Sequence, residues 1–258
     1  MRDSLLQLIT PLDTRNYQEL VSGLASASWP EFMLHDPVAD DLWDNLFTYF
    51  PEYQFALLDT RTGRAAAMGN SLALHWDGDP HDLPAEGWDW AFIQAVADHS
   101  QGLQPRTQCA IQIAIHPDYR NQGLSNRMVQ IMREVGEKKG FKRLIAPVRP
   151  NQKSLYPLID MDDYISWKNE QGLPFDAWLR THVRAGATII KTCRHAMDIR
   201  GTRADWETWT GLKFLQSAEY VLPGGLIPMK MDLESDLGIY IEPNVWMVHE
   251  LAAGKDLK

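Results

Sequence analysis

The most informative segment of the sequence runs from Ile111 to Met128 and reads IQIAIHPDYRNQGLSNRM. Its first part alternates isoleucine with smaller or polar residues, which is the period of a strand with one buried face, and Pro117 ends that pattern. From Gly123 onward the apolar residues recur every three or four positions, as in an amphipathic helix. The segment therefore predicts a strand over Gln108–His116, a tight turn, and a helix over Gly123–Lys139.

The turn before this helix has the properties of an anion-binding site. The first amide groups of a helix have no partners within it and lie at the positive end of the helix dipole. Gly123 lets the backbone approach a ligand closely because it has no Cβ, and Arg120 adds a cation. These features suit a pyrophosphate, whereas an ordinary strand-to-helix connection with a surface arginine is the alternative interpretation.

The overall composition argues against several classes of partner. The chain has 25 Lys and Arg against 34 Asp and Glu, a net charge of −9, so we expect neither a nucleic acid nor an anionic membrane as partner. No apolar run reaches the roughly 18 residues of a membrane-spanning helix, and Met1–Ile9 is too short and interrupted for a secretory signal. The two cysteines imply no disulfide framework. A cytoplasmic protein is therefore expected.

A metal site is not expected either. The loop over Asp77–Gly87 contains Asp77, Asp79, His81 and Asp82, but their spacing matches no metal-ligand pattern. A solvated loop, rich in Asp, Pro and Gly, is the simpler interpretation.

The remaining segments add further strands and helices without an obvious domain boundary. The predicted strands are Gln54–Leu58, Arg64–Leu74, Leu144–Val148, Glu219–Leu222, Leu226–Met231 and Gly238–His249, and the predicted helices are Trp88–His99, Phe175–Arg184 and Ala204–Trp209. Pro147 should place its strand at an edge or near a strand end. Because no long linker interrupts the chain, we expect one domain over residues 1–258, with a core over about 1–160 and a C-terminal extension over about 161–258.

The central segment resembles the GNAT superfamily of acyltransferases. The motif of that family is Gln/Arg-x-x-Gly-x-Gly/Ala after a strand that ends near a proline, and here it reads Arg120-x-x-Gly123-x-Ser125. The resemblance implies an α/β (α+β) fold with a mixed, twisted sheet flanked by helices. It also implies acetyl-CoA or another acyl-CoA as co-substrate, with its pantetheine in a gap between splayed strands at Gln108–His116 and Leu144–Val148.

The same resemblance assigns the coenzyme to particular backbone groups. The backbone of Ile113 and Ile115 is expected to pair with the pantetheine amides, as an added strand would. Backbone N–H groups from Gln122 to Asn126 are expected to hold the pyrophosphate. The full predicted set is Ile113, Ala114, Ile115, Arg120, Gln122, Gly123, Leu124, Ser125, Asn126 and Asn151.

Tyr156 is the predicted general acid. Members of the family often have an asparagine, then a helix, then a tyrosine after the strand, and this sequence has Asn151 and Tyr156 at a shorter separation. Packing of the Tyr156 ring beside Pro157 is the alternative.

His182 is the candidate general base. Family members often carry a glutamate on the central strand, where this sequence has Gln112 and His116 instead. His182 falls on the apolar face of its predicted helix, which suits either a core histidine or a catalytic histidine with a perturbed pKa. His249, near the end of the last predicted strand, is a weaker candidate.

The C-terminal part also resembles GNAT-like domains of polyketide-synthase loading modules. The similar stretches are Thr181–Ala187, Ala204–Gly211 and Tyr240–His249. In such domains a histidine and a threonine are implicated in decarboxylating a malonyl thioester. The histidine would correspond to His182, whereas the threonine position falls near Asn151 and is not a threonine here.

Three functional hypotheses follow from these resemblances. The first is transfer of an acetyl or short acyl group from CoA to a small-molecule amine. The second is a GNAT-like enzyme that uses malonyl-CoA or another acyl-CoA and the thiol of an acyl carrier protein, with decarboxylation. The third is a non-catalytic CoA-binding module. The tryptophan-rich C-terminal part would supply either an acceptor pocket or the surface of a homodimer.

Overall fold

One mixed sheet of nine strands organises the fold in the computed structural model, which describes residues 5–252. Residues 1–4 and 253–258 lie outside the described part, and with them the start of the stretch assessed as a secretory signal and both ends of the expected domain. The strands are β1 (Leu6–Ile9), β2 (Gln54–Asp59), β3 (Arg64–Leu74), β4 (Thr107–Ile115), β5 (Arg143–Val148), β6 (Ala187–Gly201), β7 (Ala218–Tyr220), β8 (Met229–Asp232) and β9 (Leu237–Glu250).

The strand order is β1-β2-β3-β4-β5-β9-β8-β7, and β6 also pairs with β9. Every neighbouring pair is antiparallel except β4 and β5, which are parallel. The helices that flank the sheet are α1 (Tyr17–Val21), α2 (Pro37–Leu42), α3 (Asn45–Thr48), α4 (Gly87–Ser100), α5 (Leu124–Lys138), α6 (Met161–Ser166), α7 (Ala177–Arg184) and α8 (Arg203–Thr210). The predicted mixed sheet with flanking helices is therefore confirmed, and β4 and α5 begin and end within one residue of the predicted positions. None of the helices within residues 5–252 is long and apolar enough to cross a membrane.

The gap expected between two central strands is present. β4 and β5 pair only through Gln108 with Leu144 and Cys109 with Ile145, although β4 continues to Ile115 and β5 to Val148. Beyond Cys109, no strand of the described chain pairs with the edge of β4 that faces β5. The two strands therefore diverge and leave a polar strand edge open.

A bulge in β4 accompanies this divergence. The register with β3 passes from Asn70–Gln112 to Ser71–Ala110, so Ile111 has no partner residue on β3. The indole Nε1 of Trp88 donates a hydrogen bond to the Ile111 carbonyl at 3.0 Å. This bond satisfies a backbone group that the ladder leaves free, because a bulge disrupts regular pairing.

Pro147 lies one residue before the end of β5, which is one of the two placements predicted for it. β5 is internal to the sheet, and Pro147 pairs with Trp246 of β9. The proline is tolerated because β4 has already separated from β5 on the other side, so that side needs no N–H donor at this position.

The longest strand, β6, is one that the sequence pattern did not predict. Its 15 residues run antiparallel to β9, and the register shifts between Ile189 and Lys191 and again between Cys193 and Met197. These irregularities break the alternation of apolar and polar residues on which strand prediction depends.

Contacts at both ends of α5 fix the position of this helix and of the turn before it. The Tyr119 hydroxyl donates a hydrogen bond to Asp59 Oδ2 at 2.9 Å, which ties the turn to β2. At the other end of α5, Gly136 lies so close to the Gln108 side chain that an added Cβ would be 2.2 Å from its Oε1. The start of α5 is therefore held in a fixed place beside the open edge of β4.

Candidate active site

Two adjoining cavities lie where β4 and β5 diverge. The inner cavity, of about 360 Å³, is lined by Ala110–Ile113 of β4 and by Ala146–Arg149 at the end of β5. The outer cavity, of about 400 Å³, lies at the N-terminal end of α5. The two cavities adjoin each other along a cleft, since four residues line both, namely Trp29, Ile113, Arg149 and Trp178.

The outer cavity brings together most of the residues predicted to bind the coenzyme. Those that line it are Ile113, Ile115, Arg120, Leu124, Ser125 and Asn151. Ala114 is instead buried in the core, and Gln122, Gly123 and Asn126 do not line either cavity. A role for each of these residues in binding the coenzyme remains a prediction.

The start of α5 presents backbone amides to the outer cavity. Gly123 precedes the helix in the left-handed region at φ 79°, and within the described residues no side chain caps the helix. The Gln122 side chain donates to the Asp118 carbonyl at 3.0 Å and so does not cover the amides that follow. The first amides of the helix therefore point outward at the positive end of its dipole.

Two arginines with different surroundings line the outer cavity. Arg120 is exposed, and its contacts to the carbonyls of Ile115 and Ala27 are long, at 3.4 Å each. Arg149 is mostly buried, pairs with Glu242, and donates to the Gly224 carbonyl at 2.6 Å. Arg120 can therefore turn toward an anion, whereas Arg149 is fixed and its charge is matched by that of Glu242.

The inner cavity is mostly apolar with a few polar groups. Four indole rings line it, those of Trp29, Trp43, Trp88 and Trp178. The Asp40 carboxylate and the amides of Gln112 and Asn244 also line it, and neither amide makes a side-chain hydrogen bond within the described part of the chain. Polar groups without protein partners beside an apolar cavity are typical of a binding site for a small polar ligand.

His182 reaches the inner cavity from α7. The helix is capped by Asp176, whose Oδ1 accepts from the amides of Trp178 and Leu179. Oδ2 of the same carboxylate accepts from the Gln152 amide at 2.8 Å, which ties α7 to the segment that follows β5. This cap therefore positions the Trp178 and His182 side chains over the gap between the strands.

The His182 ring is buried and neutral. Its exposed fraction is 4%, its Nδ1 lies 3.0 Å from Nε2 of His249, and the Trp178 ring packs against it in a T-shaped arrangement with centroids 4.5 Å apart. Burial, and then His249, lower the pKa of His182 to about 3. The second ring nitrogen, Nε2, has no hydrogen bond to the described protein and is free to accept a proton.

Tyr156, predicted as the general acid, lies away from both cavities. Its ring packs against Tyr164, Trp167 and Phe175, with centroids 5.1 to 6.0 Å apart. Its hydroxyl makes no hydrogen bond to the described residues, and the residue lines neither cavity. The acid role stays a prediction, but this placement favours the packing alternative.

Replacing Tyr156 with phenylalanine tests that alternative. We expect Tyr156→Phe to change kcat by less than about two-fold, because the ring contacts remain and a general acid would contribute at least about 100-fold. Steady-state kinetics with a saturating acceptor measure the effect. A ten-fold loss of kcat without a fall in melting temperature would return Tyr156 to the active site.

Several cavity residues were not identified from the sequence. Trp29, Trp43 and Arg149 lie in irregular or strand-end segments, where no periodic pattern indicates the direction of a side chain. The only available signal was the unusual number of tryptophans, ten in the chain. Among the described residues, no group of His, Cys, Asp or Glu side chains could hold a metal ion.

Comparison with known proteins places this cleft in context. Residues 24–159, more than half of the chain, match the Acetyltransferase (GNAT) family. The match includes β4, the turn and α5, whereas His182 lies outside it. The arginine N-acetyltransferase avaD of Aspergillus versicolor is 28% identical over 252 residues, which cover 88% of this chain and 86% of that protein.

Two solved structures share the fold along nearly the whole chain. The loading GNATL domain of CurA from Lyngbya majuscula superimposes with a TM-score of 0.63 at 19% identity, covering 95% of this chain and 97% of that one. The GphF GNAT-like decarboxylase, solved in complex with isobutyryl-CoA, gives a TM-score of 0.55 at 13% identity, covering 96% and 99%. The resemblance of the C-terminal part to GNAT-like loading domains is thus matched at the level of fold.

Proposed function

The chain belongs to the acetyltransferase (GNAT) family, and we propose that this acyltransferase moves an acetyl or short acyl group from an acyl-CoA to the amine of a small molecule. The observation that carries the proposal is the pair of adjoining cavities, one at the uncapped start of α5 and the other at a neutral, buried His182. One end suits a pyrophosphate, and the other suits proton transfer.

The residues of the outer cavity fit the coenzyme. The amides at the start of α5, together with Arg120, would hold the pyrophosphate, and the Ser125 side chain lies beside them. The open edge of β4 at Ile113 and Ile115 offers backbone groups to the pantetheine amides. When bound there, the coenzyme supplies an activated thioester, whose acyl group would reach the inner cavity.

The inner cavity favours a small cationic amine as acceptor. The Asp40 carboxylate attracts a cation, the indole faces of Trp29, Trp43 and Trp178 can stabilise one, and the Gln112 and Asn244 amides can accept hydrogen bonds from N–H groups. A relative of this chain is an arginine N-acetyltransferase, which supports an amine of this type. Arginine is therefore the first acceptor to test.

His182 would move the proton that the reaction transfers. The amine attacks in its unprotonated form, after any extra proton has been lost to solvent. As the amide bond forms and the thioester C–S bond breaks, His182 Nε2 takes one proton from the attacking nitrogen and then gives it to the leaving sulfur. The lowered pKa of His182 weakens the neutral ring as a base in the first transfer and strengthens the protonated ring as a donor in the second. A backbone N–H on the open edge of β4 would stabilise the oxyanion, a contribution of about 3 kcal/mol for one well-placed donor.

Incubation of the pure protein with separate co-substrates tests this function. With acetyl-CoA and arginine we expect free CoA and acetylarginine by mass spectrometry, and neither product without the protein. Parallel samples with lysine and agmatine show whether the α-carboxylate and the guanidinium group matter.

Malonyl-CoA without an acceptor separates the other hypotheses. Formation of acetyl-CoA in that sample would indicate the decarboxylating, carrier-protein type of enzyme. Binding of acetyl-CoA with no turnover of any amine or of malonyl-CoA would indicate a non-catalytic module.

The organisation and location of the protein are proposals of the same kind. We propose one domain with a core over about 1–160 and an extension over about 161–258, since the extension supplies His182 to a cleft built by the core. A cytoplasmic location agrees with two buried cysteines that are both free, Cys109 and Cys193.

A further inference from the structure

His249 occupies an unusual place for a polar side chain. It lies near the end of β9, opposite Leu144 of β5 and Ala187 of β6, and it is fully buried. Within the described residues, its ring makes one side-chain hydrogen bond, to Nδ1 of His182 at 3.0 Å. A buried polar ring costs desolvation energy, and here the hydrogen bond at Nε2 offsets part of that cost while Nδ1 has no partner among the described residues.

Burial keeps both rings neutral, and the charges around them act in the same direction. The charged side chain that acts on His249 is Arg133 of α5, which donates to the Ala185 carbonyl at 2.9 Å and lies 3.8 Å from Glu137. The facing strand residues, Leu144 and Ala187, carry no charge. Burial, and then Arg133, lower the pKa of His249 to about 4.

Two neutral imidazoles joined by one hydrogen bond must adopt complementary tautomers. Either the Nδ1 proton of His182 is donated to His249, or the Nε2 proton of His249 is donated to His182. The Ala185 backbone raises the pKa of His249 and so favours a proton on Nδ1, the ring nitrogen that does not contact His182. Nδ1 itself makes no hydrogen bond within the described residues. A proton on Nδ1 of His249 leaves its Nε2 as the acceptor.

We propose that His249 is a positioning residue, which accepts the Nδ1 proton of His182 and so directs the lone pair of His182 Nε2 into the inner cavity. The catalytic role of this arrangement rests on the proposed function, because only a general base needs its lone pair to face the inner cavity. The tautomer of His182 in the resting protein, by contrast, can be measured without turnover.

The experiment compares three variants with the parent protein. His249→Leu keeps a similar volume and removes the acceptor, His249→Gln keeps an acceptor, and His195→Gln is the control because His195 is exposed on β6. Nitrogen-15 NMR of labelled histidines reports which ring nitrogen of His182 carries the proton. Steady-state kinetics across pH give kcat and the KM for acyl-CoA.

We expect the parent and His249→Gln to show a single Nδ1–H tautomer of His182, and His249→Leu to show a mixture. In His249→Leu, kcat should fall by about 10- to 100-fold with a KM for acyl-CoA within about three-fold, and His249→Gln should recover part of the loss. A single Nδ1–H tautomer retained in His249→Leu would overturn the proposal. An Nε2–H tautomer in the parent would do the same, even if His249→Leu failed to fold.

Failure of the proposed function gives a different result. If His182→Asn were fully active, His182 would not be the base, yet the tautomer of His182 in the resting parent and His249→Gln would still decide whether His249 sets it.

Discussion

Replacing Gly123 with glutamate is expected to weaken binding of acetyl-CoA by at least about 100-fold. Gly123 immediately precedes α5, and an added Cβ there has open space around it, so the new side chain can extend without displacing the protein. Its carboxylate would lie beside the amides proposed to hold the pyrophosphate. If this carboxylate lies about 5 Å from a phosphate of the coenzyme, their repulsion costs about 3 kcal/mol at an intermediate dielectric constant. That cost is enough for a 100-fold change in affinity.

Two control variants separate charge from backbone strain. Gly123→Ala introduces only the cost of a Cβ in the left-handed region, about 1 kcal/mol, and should weaken binding by less than about ten-fold. Gly140→Glu adds the same charge at the other end of α5, where the backbone has a similar φ of 76° and open space, and should leave binding unchanged. Isothermal titration calorimetry measures all three, and an unchanged affinity of Gly123→Glu would exclude the start of α5 as the pyrophosphate site.

The part of the fold that could be predicted is the part that depends on local sequence. β4, the turn and α5 follow from side-chain periodicity, a proline and a glycine, all within about thirty residues. The long strand β6 could not be predicted in this way, because its bulges interrupt the alternation and its existence depends on pairing with β9. The internal position of Pro147 likewise depends on where β4 leaves β5, which no local pattern encodes.

In the candidate site, too, local sequence predicts some features and the tertiary arrangement determines the others. The inward direction of His182 follows from helical periodicity, and the structure places that side chain in the inner cavity. Its contact with His249 joins residues 67 positions apart on a helix and a strand, and only the tertiary arrangement brings them together. Tyr156 was selected by order along the chain, but the aromatic cluster around it turns its ring away from the cleft.

The second large effect is expected from His182→Asn, which should lower kcat by about 100- to 1,000-fold while the KM for acyl-CoA stays within about three-fold. Asparagine keeps a hydrogen-bonding group near His249 but cannot accept a proton at neutral pH, and general base catalysis typically contributes 10²- to 10⁴-fold. His195→Gln, on an exposed part of β6, should retain the parent kcat. Parent-like specific activity of His182→Asn, measured at saturating acceptor, would assign His182 to the core alone.

The pH dependence of stability distinguishes a true loss of chemistry from a damaged core. The pKa of His182 is about 3 in the folded protein and near 6.5 when unfolded, so the unfolded state binds the extra proton between these values. This histidine therefore lowers parent stability as pH falls below about 6.5, and the asparagine variant lacks that loss. Denaturant unfolding at pH 7.5 and pH 5 should show a smaller decrease for His182→Asn than for the parent, by about 1 to 2 kcal/mol. An inactive variant with this flatter profile has kept its fold and lost the proton acceptor. If stability instead fell equally in the variant and the parent between pH 7.5 and pH 5, the His182 ring would not be buried in its neutral form.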